Sequence, residues 1–129
     1  MDDVTEAGAA APDRKLILVV DDEFDLVATY TMLFEFHSYR VASAANGNEA
    51  LAVAALQRPD LVLSDLMMPQ MDGVELCRRW RADPALAAIP FILTSAGQTE
   101  PLGAPCDLFL RKPVRIDYLL EQIERLING

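Results

Sequence analysis

Cysteine is nearly absent: Cys77 and Cys106 are the two in 129 residues, and they form no C-x-x-C pair. No disulfide framework or thiolate metal site is indicated, and the pair reads as two buried thiols of a reducing compartment. Positive charge is also short, with 11 Lys and Arg against 20 Asp and Glu and a formal net charge of −9. Binding to phosphate backbones needs a basic face, so direct contact with nucleic acid is not expected. No apolar run reaches the ~20 residues of a membrane span, and the N-terminus has no signal-peptide core. No membrane association is expected, and the location implied is cytoplasmic. The single histidine, His37, falls near a predicted helix end, where its charge would suit the helix dipole.

What is present is globular, with 52% hydrophobic and 24% charged residues. The length suits one domain with a core of its own. Residues 1–14, "MDDVTEAGAAAPDR", are small, acidic and aperiodic, and read as a flexible N-terminal tail before a domain at 15–129. Two patterns then alternate. "KLILVV" (15–20), "YRVASA" (39–44), "DLVLSD" (60–65), "IPFILTS" (89–95) and "DLFLRK" (107–112) read as strands. Helices are predicted over 24–37, over 46–57 with Asn46 as N-cap and Glu49 three residues on, and from Asp72 with Glu75 at the same offset to about residue 81. A last helix places Ile116, Leu119, Leu120, Ile123 and Ile127 on one stripe. Apolar strands alternating with helices imply a doubly wound α/β fold with a parallel sheet.

In such sheets, reactive groups collect at the carboxyl ends of the strands. The first strand ends in Asp21 and Asp22, the third in Asp65, the fourth in Thr94 and Ser95, and the fifth in Lys112. Clustered carboxylates repel unless a cation or proton intervenes. They form a hard oxygen site suited to Mg2+, which keeps waters and leaves room for a phosphoryl oxygen. A lysine and a hydroxyl opposite can take the other phosphoryl oxygens. One carboxylate free to attack makes an aspartyl-phosphate, and positioning with charge neutralisation supplies most of such catalysis.

Four ordered pieces, "VVDDE" (19–23), "SDLMMPQMDG" (64–73), "PFILTS" (90–95) and "LRKP" (110–113), give the chain its resemblance to the receiver domains of bacterial response regulators, over residues 15–128. The resemblance implies a flavodoxin-like sheet of five parallel strands in the order 2-1-3-4-5. It implies Asp65 as phosphoacceptor, Asp22 as a direct Mg2+ ligand, Asp21 acting through water, and the backbone carbonyl of Met67 as a further ligand. Lys112 would pair with the phosphoryl group, ahead of a cis peptide at Pro113. Thr94 would bind a phosphoryl oxygen, and Phe109 would fill the place of the switch aromatic. The donor implied is a sensor histidine kinase or a histidine phosphotransfer protein, and the output a downstream protein target. The domain would be a signalling switch that catalyses its own phosphoryl transfer and dephosphorylation, rather than a metabolic enzyme.

The stretch between Thr94 and Lys112, "SAGQTEPLGAPCDLFLR", departs from the family pattern. Receivers normally fit a fourth helix here, but Gly97, Pro101, Gly103 and Pro105 interrupt it. A loop, or one turn at most, is expected. In the first helix, Leu26, Tyr30, Leu33 and His37 form one stripe, and Phe24, Val27, Ala28 and Thr31 another. The family docks its histidine-bearing partner on this helix, so the Phe24 and Val27 side is the expected docking face, with simple burial as the alternative.

Three other readings stand beside this one. A phosphatase working through an aspartyl-phosphate wants an acid two residues after the nucleophile, where this chain has Met67. A flavin module would need a Ser/Thr/Gly-rich loop after the first strand, where "DDEFD" would repel phosphate. A degenerate, phosphorylation-independent receiver acting as a protein-interaction module is the remaining alternative. The chain ends soon after the last helix, which suits either a stand-alone receiver or a piece of a larger regulator or hybrid kinase.

Overall fold

The computed structural model describes residues 14–97, 101 and 103–129, so the expected tail lies outside the described residues except for Arg14. Five strands form one sheet: β1 Leu16–Val20, β2 Arg40–Ala44, β3 Leu61–Asp65, β4 Phe91–Ser95 and β5 Leu108–Arg111. All pairings are parallel and the order is β2-β1-β3-β4-β5. β1, β3 and β4 are buried at every residue, which is why they read as unbroken apolar runs. The edge strands β2 and β5 are only partly covered.

Side-chain alternation divides the core. Ile17, Val19, Leu61, Leu63 and Ile92 point to one face, where α1 (Phe24–Phe36) brings Tyr30 and Phe34 and α4 (Ile116–Asn128) brings Leu119 and Ile123. Leu18, Val20, Val62, Phe91 and Leu93 point to the other. There α2 (Gly47–Leu56) brings Ala50 and Ala54, and α3 (Gly73–Ala82) brings Leu76, Cys77 and Trp80. α2 and α3 start where expected: Asn46 Oδ1 accepts from Glu49 N at 2.8 Å and Asp72 Oδ1 from Glu75 N at 2.9 Å.

Three expectations are corrected. The sheet-facing seam of α1 is neither of the two stripes. Phe34 belongs to neither and is fully buried, its ring stacked 5.6 Å from that of Tyr30. Leu26 and Val27 flank this seam together, and His37 is exposed. A helix apolar almost all round offers no periodic contrast, so the arc that docks is decided by the sheet. Val27 is consequently half-buried against the core, and Phe24, 83% exposed, is the outward residue of the expected docking pair. Cys77 is buried as expected, but Cys106 is only partly so, because it lies on the irregular segment before β5.

That segment contains no helix among its described residues; 98–100 and 102 lie outside the description. Ala104 and Cys106 pack against the α2/α3-side core. Arg81, at the end of α3, ties the segment down. Its Nε donates to Pro105 O at 2.9 Å, its Nη1 to Ala87 O at 2.9 Å and Ile89 O at 3.0 Å, and its Nη2 to Asp107 Oδ2 at 2.5 Å. Among the described residues, no helix is long and apolar enough to cross a membrane.

Candidate functional site

Four of the five strands deliver polar side chains at the same rim because all five run in parallel. Asp21 follows β1, Asp65 ends β3, Thr94 sits beside Asp65 in the ladder, and Lys112 follows β5. Backbone bonds hold these ends: Asp21 N donates to Ala44 O at 3.1 Å, Leu66 N to Thr94 O at 2.7 Å and Lys112 N to Ser95 O at 2.9 Å. The peptide between Lys112 and Pro113 is cis.

Asp21, Asp22 and Asp65 each offer a carboxylate oxygen, and these oxygens lie within 4.8 Å of one another. Asp21 and Asp65 are 4% and 8% exposed, while Asp22 is open to solvent. The Lys112 ammonium reaches Asp21 Oδ2 at 3.0 Å, Asp65 Oδ1 at 3.2 Å and Glu23 Oε1 at 3.8 Å. Burial holds the Asp65 carboxyl above its ordinary range, Lys112 pulls it back, and the Asp21 and Asp22 carboxylates push it up again. Burial works against the charge on Lys112, but its bonds and attraction to Asp21 and Asp65 outweigh that, and its pKa is raised. Burial likewise raises the Tyr30 phenol, which feels Lys112, Asp21 and Asp65. One ammonium among three close carboxylates leaves an excess of negative charge on hard oxygen donors, the chemistry that suits a small divalent cation.

The Thr94 hydroxyl is buried and donates to Ser64 O across a long 3.4 Å. Met67 lies in the loop directly after Asp65 with its side chain 69% exposed, away from the core. Phe109 stands opposite Leu93 on β5, half-buried, and packs on the α2/α3-side core together with Ala104 and Cys106. Phe24 and Val27 line a cleft of about 240 Å³ shared with Asp21, Asp22 and Glu49.

Two contributors to the site stand inside the quoted motifs without a role read from them. Glu23 comes within reach of Lys112 and donates its N–H to Asp21 Oδ1 at 2.9 Å. Gly73 lies against the backbone of Asp65: a Cβ there would stand 2.5 Å from Asp65 O and 2.5 Å from Leu93 Cδ1. The place of Gly73 at the end of "SDLMMPQMDG" and of Glu23 in "VVDDE" were the signals, and reading the first required knowing that α3 returns to β3.

Comparison with known proteins agrees with this geometry. The family model described as "Response regulator receiver domain" matches residues 17–124. The chain is 32% identical over 117 residues to the DNA-binding dual master transcriptional regulator RpaA of Synechocystis sp., covering 87% of this chain and 48% of that protein. It spans half or less of the length of the curated relatives it matches. A signal receiver domain of a signal transduction histidine kinase from Syntrophus aciditrophicus superposes with a TM-score of 0.84 at 34% identity, over 89% of this chain and 91% of that one. The receiver domain of sensor histidine kinase PA1611 from Pseudomonas aeruginosa PAO1, solved with a magnesium ion coordinated in its active site cleft, gives a TM-score of 0.83 at 27% identity, over 90% of this chain and 99% of that one. With the family model spanning nearly the whole sheet and its rim, the chain belongs to the response regulator receiver domains of two-component signalling.

Proposed function

We propose that Asp65 accepts a phosphoryl group from the phosphohistidine of a sensor histidine kinase or histidine phosphotransfer protein, with Mg2+ at the site, and that this switches a surface read by a downstream protein in the cytoplasm. The observation that carries the reading is the meeting of Asp65 with Lys112 at 3.2 Å beside Asp21 and Asp22. Asp22, Asp65, the Met67 carbonyl and, through water, Asp21 would hold the ion. Bound there, it would neutralise charge on the transferring group.

The chain's own groups do the rest. A carboxylate oxygen of Asp65 attacks phosphorus in line, forming an O–P bond as the P–N bond to histidine breaks. The rigid end of β3 keeps that oxygen aimed. Lys112 turns from Asp65 to a phosphoryl oxygen, and the Thr94 hydroxyl leaves Ser64 O to donate to another. Thr94 and Phe109 then couple the phosphoryl group to the segment between β4 and β5, the surface expected to change. Hydrolysis at the same site resets the switch, so the domain catalyses its own cycle without being a metabolic enzyme. Phe24, exposed beside the cleft, and the visible edge of Val27 would meet the phosphodonor.

Asp21, Asp22, Asp65, Thr94 and Lys112 stand together at one rim, and no observation favours the phosphorylation-independent alternative over this reading. The test is intact mass after incubation with Mg2+ and acetyl phosphate. A Mg2+-dependent gain of one phosphoryl group, absent from Asp65→Asn, is expected. No gain in the wild type would overturn the reading.

A further inference from the structure

The loop after Asp65, residues 66–72, is held at its ends by hydrogen bonds, including Gly73 N to Leu66 O at 2.8 Å. Its middle has no regular structure: Gln70 takes φ 71, and Met71 N turns back to Pro69 O at 2.8 Å. Packing holds it instead. Met68 and Met71 are buried in the cluster that includes Ala44 and Ala50, while Met67 between β3 and these anchors is exposed.

Met71 occupies the space in front of Gly47, the first residue of α2. A Cβ at Gly47 would stand 2.5 Å from Met71 Sδ, 3.0 Å from its Cγ and 3.2 Å from its Cβ. Rotation of a flexible thioether can carry Sδ and Cγ aside. It cannot move Cβ, which follows the backbone, so the loop itself must give by a few tenths of an ångström. The α2 side is the firmer partner, because Asn46 caps Glu49 N and the Glu49 carboxylate accepts from Ala45 N. By contrast, Gly73 meets backbone at 2.5 Å and has no such latitude.

We propose that Gly47 is a positioning residue, whose missing side chain seats Met71 and thereby sets the loop bearing the Met67 carbonyl for Mg2+ in preference to a larger cation. The inference rests on the Mg2+ reading above. Mg2+ demands near-octahedral ligands at about 2.0–2.1 Å, whereas Ca2+ accepts irregular ones at about 2.3–2.6 Å. A displacement of a few tenths of an ångström therefore costs Mg2+ more than Ca2+.

The experiment is calorimetric titration of Mg2+ and of Ca2+ into the wild type, Gly47→Ala, Met71→Gly, which also removes the Cβ that Gly47→Ala would meet, and the double variant. Gly47→Ala is expected to weaken Mg2+ about tenfold, the low end for loss of an outer support of a ligand, and Ca2+ by less. With Met71 already truncated, the same step should cost less than about twofold. Equal losses for both ions, no loss, or the same loss without the Met71 side chain would each overturn the proposal. If Gly47→Ala does not fold, Met71→Gly decides it: Mg2+ affinity should fall relative to Ca2+, and an unchanged ratio sinks the idea. A wild type that binds neither ion fails the Mg2+ reading itself, and this inference with it.

Discussion

The Lys112 ammonium lies closer to Asp21, at 3.0 Å, than to Asp65, at 3.2 Å, and Asp21 is the more deeply buried of the two carboxylates. Lys112 is thus a structural counter-ion to both carboxylates, and this role separates experimentally from the phosphoryl contact proposed for it.

Replacing Lys112 with Met should leave two buried carboxylates without their cation. Breaking a buried pair on one side costs about 3–5 kcal/mol, and solvent at this rim reduces that to about 2 kcal/mol. The Tm should fall in chelator and recover when Mg2+ is added, while phosphorylation by acetyl phosphate is lost. A Tm equal to wild type in chelator would refute the counter-ion role.

Asp65 carries a pKa raised chiefly by burial. The native state then holds this proton at pH values where the unfolded chain has released it, so stability is fully present below the unfolded pKa and falls as pH rises through the folded one. Metal-free Asp65→Asn should therefore be more stable than wild type at neutral pH, with the gain vanishing below about pH 4, the ordinary carboxylate range. Thermal melts across this interval check it, and a gain independent of pH would contradict it.

Gly73→Ala should disable the site and weaken the fold together, because the new methyl meets Asp65 O and Leu93 Cδ1, both in fully packed strands. Overpacking of this kind costs about 1–3 kcal/mol. Urea denaturation should show that loss, and phosphorylation should drop with it.

Arg81→Ala removes four hydrogen bonds that pin Pro105, Asp107 and the turn after α3. Asp107 keeps its bond from Phe91 N at 2.7 Å, so β5 should stay paired. A loss of about 2 kcal/mol is expected, with faster amide exchange around residues 104–107 and an intact phosphorylation site. Loss of phosphorylation would show that the clamp reaches the rim.

The sequence by itself determined the strands, the alternation and the reactive rim. Strands buried on both faces must be apolar throughout, so the polar residue that ends each one stands out, and parallel strands bring those ends together. Pro101, Gly103 and Pro105 likewise announced the irregular segment before β5. The tertiary structure alone decided which arc of α1 docks, why Phe34 rather than Leu33 is fully buried, and that Arg81 holds Asp107. It also decided that Met71 takes the space of a Gly47 side chain. Periodicity is a local property, and it fails on a helix apolar all round. Contacts between residues far apart in the chain exist only once sheet register and helix placement have brought them together.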